Sequence, residues 1–231
     1  MTERDTPLAH VQTVVESVML PWSTATFQIT RPASIDDLLD RAELDPEQNL
    51  PYFAEIWPSG IALADLLMEQ PGFVANRRTL EVGCGLGITA VAAARSGARL
   101  TICDYFPESI ELAARNLVGA GCVAQRAVEL NWRDPRSIAA LLDSGPYPIV
   151  LAADVLYEAR DIAPLLTFFA QALTVDGTLF LAEPGRPVAK RFLEAASEHG
   201  WDVGEIATHG GPWPDPKDRN VTVSIHTLRR T

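Results

Sequence analysis

The sequence predicts an α/β fold: a doubly wound, mostly parallel sheet of seven strands ending in an antiparallel pair, behind an N-terminal extension. Three observations predict it. From residue 59 onward, short apolar runs alternate with segments of helical periodicity, and alternating strand and helix builds a parallel sheet covered on both faces. The last two strand runs are joined by Gly210–Asp218, too short and proline-rich for a crossover helix, so they are expected to be antiparallel neighbours. The length of 231 residues suits one such domain with an extension, and such a domain buries roughly 70% of its unfolded surface without staples.

Residues 1–50 form the expected extension and residues 51–231 the domain. In the extension, His10–Met19 and Ser23–Arg31 are β-leaning around a turn at Leu20-Pro21-Trp22, as a hairpin or as a helix followed by a strand. Ser34–Leu39 reads as a short capped helix, with Asp36, Asp37 and Asp40 on a solvated face. Residues 45–50 read as a polar loop. A helix over Ser59–Gln70 places Ile61, Ala64, Leu67 and Met68 on one face and stops at Pro71-Gly72. Strands are expected at Thr79–Val82, Arg99–Cys103, Ala124–Glu129, Pro148–Ala153 and Gly177–Ala182. Each is followed by a helix: Ile88–Ser96, Pro107–Ala120, Ser137–Leu142, Ile162–Leu173 and Val188–His199. Asp202–Thr208 and Val221–Leu228 complete the sheet.

Composition narrows the function. The formal net charge is −11, which disfavours binding to a phosphate backbone and favours basic protein surfaces or cationic small molecules. Cys84, Cys103 and Cys122 read as reduced thiols of a cytoplasmic protein. They form no Cys-x-x-Cys pair, and His10, His199, His209 and His226 are not spaced as ligands, so no metal site is expected. The start, Met1–Asp5, lacks a secretory pattern, and no apolar run reaches membrane-spanning length.

The segment Glu81-Val82-Gly83-Cys84-Gly85-Leu86-Gly87 carries the strongest chemical signal. It lies between a predicted strand and a predicted helix, where glycines permit a sharp turn and close approach of the backbone to a ligand. Asp104 ends the next strand, where a carboxylate can accept hydrogen bonds from both ribose hydroxyls of a nucleoside. A dinucleotide loop would have a third glycine where Ile88 stands. S-adenosylmethionine (SAM) has no pyrophosphate to repel, so Glu81 beside the loop suits its positively charged methionine end. The cofactor predicted is therefore SAM. A ligand-free tight turn is the plain structural alternative.

On these residues the chain resembles class I, seven-β-strand SAM methyltransferases with a Rossmann-like sheet. Pro51–Gly60, with Tyr52-Phe53-Ala54-Glu55-Ile56-Trp57 at its centre, Asn131-Trp132 and Asp154-Val155-Leu156-Tyr157 resemble methyltransferase family 16, several of whose members methylate protein lysines. Glu183-Pro184-Gly185-Arg186-Pro187 is similar to a segment in the lysine methyltransferases of the electron transfer flavoprotein β subunit. The likeness covers about residues 50–190. It implies cofactor contacts at Trp57, Glu81, Gly83, Cys84, Gly85, Gly87, Asp104, Trp132 and Asp154, with Trp57 on the methionine side and Trp132 near the adenine. It implies that Asp154 and Tyr157 form the catalytic pair at the acceptor, Asp154 holding a lysine ammonium and Tyr157 orienting it. Core packing for the two tryptophans and helix capping for Asp154 are the alternatives. Glu183 and Arg186 are either acceptor-side groups or parts of a turn.

Val155-Leu156 stands where amide and base-amine methyltransferases carry prolines, which argues against DNA adenine or glutamine as acceptor. The expected function is transfer of a methyl group from SAM to lysine on a protein substrate. A small-molecule N-methyltransferase with residues 10–50 as a lid, a non-catalytic binding module and an NAD-linked oxidoreductase are the competing readings.

Overall fold

The computed structural model describes residues 7–8, 10–36, 38–39 and 45–231. The extension opens with a hairpin, β1 (Thr13–Met19) and β2 (Thr26–Pro32), paired antiparallel as a separate two-stranded sheet. Val18, Leu20, Phe27 and Ile29 are buried from this hairpin into the domain core. Polar contacts fix it there. Asp65 accepts from the backbone N–H groups of Trp22 and Ser23, both at 2.8 Å, and Asn116 bonds both the N–H and the C=O of Thr30. Of the short helix expected at Ser34–Leu39, Asp36, Leu38 and Leu39 are helical and Ser34 Oγ accepts from Asp36 N–H. Asp37 and Asp40 lie outside the described residues.

The domain then runs α1 (Pro58–Glu69), β3 (Arg78–Val82), α2 (Ile88–Arg95), β4 (Arg99–Asp104), α3 (Pro107–Gly119), β5 (Arg126–Glu129), α4 (Pro135–Leu141) and β6 (Tyr147–Ala153). It continues with α5 (Ile162–Ala172), β7 (Leu173–Glu183), α6 (Pro187–Glu198), β8 (Trp201–His209) and β9 (Val223–Arg230). Four of the helices, α1, α3, α4 and α6, begin with proline at the first helical position, where a missing N–H removes no helical bond.

The sheet has the order β5-β4-β3-β6-β7-β9-β8. Helices α1, α2 and α3 pack with the hairpin on one face, and α4, α5 and α6 cover the other. The last two strands are antiparallel neighbours, as the short connection required, and β9 lies between β7 and β8, antiparallel to both. Strand β7 starts earlier than the Gly177–Ala182 expected and helix α5 stops before Leu173. The cause is a tight bend: a Cβ on Gly177 would lie 2.8 Å from Leu173 Cδ2 and 2.9 Å from Thr174 O. A glycine within a strand marks such a bend and weakens the local strand pattern.

Strand order reverses between β3 and β6. Ligands of open parallel sheets bind at such a switch point, beyond the carboxyl ends of the strands. Val82 pairs with Cys103 on one side and Ala152 on the other, so Gly83, Asp104 and Ala153 share one rim.

Candidate functional site

The loop after β3 is shaped by two tight packing demands. Gly83 has φ +65°, and a Cβ there would lie 2.9 Å from Val155 Cγ1. Gly87 has φ +78°, and a Cβ would lie 2.9 Å from Ala113 Cα on α3. Gly83 therefore brings the loop against the segment after β6, whereas Gly87 seats α2 against α3. At Gly87, expected beside the cofactor, the structure shows a second demand for glycine: close packing of α2 on α3.

Asp104 braces the same loop. Its Oδ2 accepts from Gly85 N–H at 3.0 Å and its Oδ1 from Phe106 N–H at 3.2 Å. Each oxygen retains a lone pair for a further donor. Burial raises the Asp104 pKa, while the Gly85 bond pulls it down. Glu81 is 3% exposed, and its Oε2 has no hydrogen-bond partner among the described residues. Burial, and then the charge of Asp104, push its carboxyl well above the ordinary range. Cys84 is also buried, its Sγ 3.8 Å from Ser109 Oγ, so its thiol turns toward α3. Burial raises both the Cys84 and Cys103 thiols, which keeps them protonated and inert as nucleophiles.

These residues border two adjoining spaces. One is lined by Trp57, Gly83, Gly85, Asp104, Trp132 and Asp154, with Tyr105 and Phe106 beside them. The other is smaller and brings Glu81 and Cys84 together with Trp57 and Gly83. Both predicted tryptophans thus border cavities as well as packing. Trp57 Nε1 donates to Tyr52 O at 2.8 Å, and Trp132 Nε1 donates to the buried Asp161 at 2.9 Å.

Segment 45–50 reaches over the larger space. Arg133 binds Asp161 through Nε at 2.6 Å and Nη2 at 3.1 Å, and its Nη1 pairs with Glu47. Asn131 Nδ2 donates to Glu47 Oε1 at 2.7 Å, and the Tyr105 hydroxyl donates to Asp45 at 2.5 Å. Glu47, Asn49 and Leu50 become lining residues through these ties. A polar loop has no periodicity to announce such a role, and the sequence marks it only as a loop.

Beyond β6, Asp154 occupies the left-handed region at φ +59°, a conformation uncommon for residues with a Cβ, better tolerated by Asp and Asn than by others, and concentrated at functional sites. Its side chain is 7% exposed. Arg186 Nη1 pairs with Oδ1, but the approach lacks hydrogen-bond geometry, so neither carboxylate oxygen has a hydrogen bond among the described residues. Burial raises the Asp154 pKa, and Arg186 opposes it. Ser59 Oγ, fully buried at the start of α1, also opposes that rise, although it too lacks a hydrogen bond of full geometry. Tyr157 stands edge-on to Tyr52 at 5.4 Å between ring centroids, and Tyr52 stands edge-on to Trp57 at 6.2 Å. Burial raises the Tyr157 phenol above its ordinary pKa, which keeps it neutral.

Tyr52, Trp57, Asp154, Tyr157 and Arg186 line an open cavity of about 250 Å³. Two of its walls, Tyr52 and Arg186, carry no role in the sequence expectation or only an open one. Their signal lay in the motif blocks Pro51–Gly60 and Glu183–Pro187, but only the fold brings them together. Glu183 goes the other way: Oε2 accepts from Gly185 N–H at 2.6 Å and Oε1 faces His226 at 3.4 Å, so it holds the turn that presents Arg186. Among the described residues, no group of three or more His, Cys, Asp or Glu is placed to hold a metal, and no helix is long and apolar enough to cross a membrane.

The sheet order, the glycine loop and the acid ending β4 define a class I methyltransferase fold. A solved structure of that class, the Thermus thermophilus 16S rRNA N2 G1207 methyltransferase with AdoMet and guanosine, matches with a TM-score of 0.62 at 15% identity, over 97% of this chain and 52% of that one. More narrowly, the family model described as lysine methyltransferase matches residues 46–199, and the chain belongs to that family. The Rattus norvegicus electron transfer flavoprotein β subunit lysine methyltransferase is 28% identical over 187 residues, 78% of this chain and 67% of that protein. The Xenopus laevis histone-arginine methyltransferase METTL23 is 28% identical over 142 residues, 61% of this chain and 60% of that protein. The chain spans between half and two thirds of the length of these and similar relatives.

Proposed function

We propose that the chain is a SAM-dependent methyltransferase that N-methylates lysine side chains on a protein substrate. One observation carries this reading. The space beside the glycine loop and the cavity beyond Asp154 share Tyr52, Trp57, Asp154 and Tyr157 as walls, so a cofactor in one would meet an acceptor in the other.

The residues fit SAM. Glu81 offers to an ammonium a buried carboxyl oxygen, Oε2, that has no partner among the described residues, Asp104 offers two oxygens to ribose hydroxyls, and Gly83 keeps the loop free of side chain where it meets Val155. When bound, SAM supplies a methyl group on a positively charged sulfur, which a nitrogen lone pair can displace. The protein's part is orientation and exclusion of water, and positioning supplies most of such a rate gain. Asp154 draws the acceptor nitrogen to the shared wall. Tyr157, neutral and buried, orients it by hydrogen bonding. Tyr52 and Trp57 give aromatic walls against which the methylene stem of a lysine can pack.

Two observations favour a protein over a small molecule as acceptor. Tyr52 is 39% exposed and Arg186 29%, so the cavity opens to the surface on that side. Segment 45–50 covers the cofactor side and contributes no lining residue to the acceptor cavity, contrary to a lid over an enclosed acceptor. The two relatives named above are a lysine and an arginine methyltransferase of proteins, in keeping with this reading. The three cysteines are free, which suits a reducing compartment such as the cytoplasm. The domain boundary near residue 50 is likewise proposed, with the hairpin as an accessory packed on α1 and α3.

The test is transfer of labelled methyl groups from SAM to a cell extract. One or a few protein bands should take up label, and Asp104→Ala should abolish it. Label confined to low-mass products would sink the protein-substrate reading.

A further inference from the structure

A lysine reaches the cavity as an ammonium, and the lone pair needed for attack exists only after a proton leaves. A solitary buried carboxylate would hold that proton more firmly, because an opposite charge favours the charged form of its neighbour. Asp154 is not solitary. Arg186 Nη1 pairs with its Oδ1, and the guanidinium carbon lies 5.5 Å from the Trp57 ring centroid, within the same cavity wall. A guanidinium stays charged at every accessible pH.

We propose that Arg186 is a positioning residue that neutralises Asp154, so that the cavity selects the uncharged form of an alkylamine acceptor over its ammonium. The inference rests on the reading of this cavity as the acceptor site. Cationic neighbours act in the same direction on amines, lowering the fraction that is protonated. The proton leaves to solvent on the exposed side, at Tyr52 and Arg186. The nitrogen keeps the pair that forms the new N–C bond as the C–S bond breaks toward sulfur.

Other charged groups leave the balance in place. Glu183, at the end of β7, directs its oxygens to Gly185 N–H and His226. Asp218, in the β8–β9 connection, has the weakest influence on Asp154 of these charges and is itself countered by Lys217. Tyr157, on the Asp154 segment, stays neutral. Arg186 is placed by construction: it is the residue before α6, follows Gly185 at φ +80°, and the Glu183–Gly185 bond sets that turn.

The experiment titrates the full chain with n-butylamine, the lysine side chain without its backbone, and follows the NMR signals of Trp57 and Tyr157. For the wild type, affinity should rise about tenfold per pH unit between pH 7.5 and 9.5, following the neutral fraction of an amine whose pKa is about 10.4. For Arg186→Met and Arg186→Gln, affinity should stay constant within about twofold, because the ammonium is then the bound form and its fraction barely changes below that pKa. Arg186→Lys should keep the wild-type slope. A flat wild-type profile would overturn the proposal, since Arg186 would then be a plug that the ammonium displaces. Equal slopes in wild type and Arg186→Met, or no binding to the wild type, would overturn it too. Because no methyl transfer is measured, a failed labelling assay would count against the proposed reaction and leave this result standing.

Discussion

The two sides of the Asp154 rim are built by opposite means. The glycine-loop side comes from one stretch of chain, Glu81 to Asp104, on two adjacent strands, and its geometry is fixed by backbone hydrogen bonds and by close packing. The cavity side is gathered from three stretches: Tyr52 and Trp57 before α1, Asp154 and Tyr157 after β6, and Arg186 before α6. It is fixed by ring faces, one ion pair and a left-handed Asp154 backbone. A rigid side suits a ligand that never varies. A side assembled from separate surface turns can change its acceptor by changing one turn.

Four substitutions test that contrast. Asp104→Ala should have the largest effect, removing the acceptor for two backbone donors and for the ribose. Losing two hydrogen bonds to a charged group amounts to about 3–6 kcal/mol of ligand binding, so calorimetry with S-adenosylhomocysteine should show at least about a hundredfold loss. Retained affinity would remove Asp104 from the cofactor side. Gly87→Ala should instead destabilise the fold, by about 2–4 kcal/mol, from a left-handed residue and a methyl driven into α3. Denaturant melts would show it, and the ligand affinity of the molecules still folded should be unchanged.

Asp154→Asn should separate the sides most cleanly. Asparagine also tolerates the left-handed region, so shape is kept while charge is lost. Methyl transfer should fall about a hundredfold, the scale of a mispositioned acceptor, with S-adenosylhomocysteine binding changed by only a few-fold. Equal losses in both would merge the two sides into one. Glu81→Gln should act most gently, weakening ligand binding about tenfold while stabilising the free protein. The sign follows from its raised pKa: between the unfolded pKa near 4.5 and the higher folded one, the folded state holds the extra proton, so stability falls as pH rises through that window. Thermal melts from pH 5 to 8 should therefore fall less steeply for Glu81→Gln than for the wild type.

The same contrast explains what was legible in the sequence. Glu81, Gly83, Gly85 and Asp104 could be read because a strand end, a left-handed turn and a carboxylate at the next strand end are local constraints. Gly87 was legible as a necessary glycine, but its reason is Ala113 on another helix. Asp154 and Tyr157 could be placed at a rim by the strand before them, whereas Tyr52 and Arg186 join them only through tertiary packing. Glu47 and Asn49 gave no signal because Arg133, far along the chain, draws them over the site. The hairpin remained open between helix and strand until its buried face, with Val18, Phe27 and Ile29, met α1 and α3.

The position of β9 between β7 and β8 bears on how the chain is made. Strand β8 leaves the ribosome before β9, yet its place in the sheet lies beyond β9. Until β9 emerges, β8 has nothing to pair with and β7 presents an open edge, the kind of surface that invites pairing with other chains. The nascent protein therefore passes through a stage with one sheet edge unsealed and a strand waiting. Chaperone dependence during synthesis should concentrate in that interval.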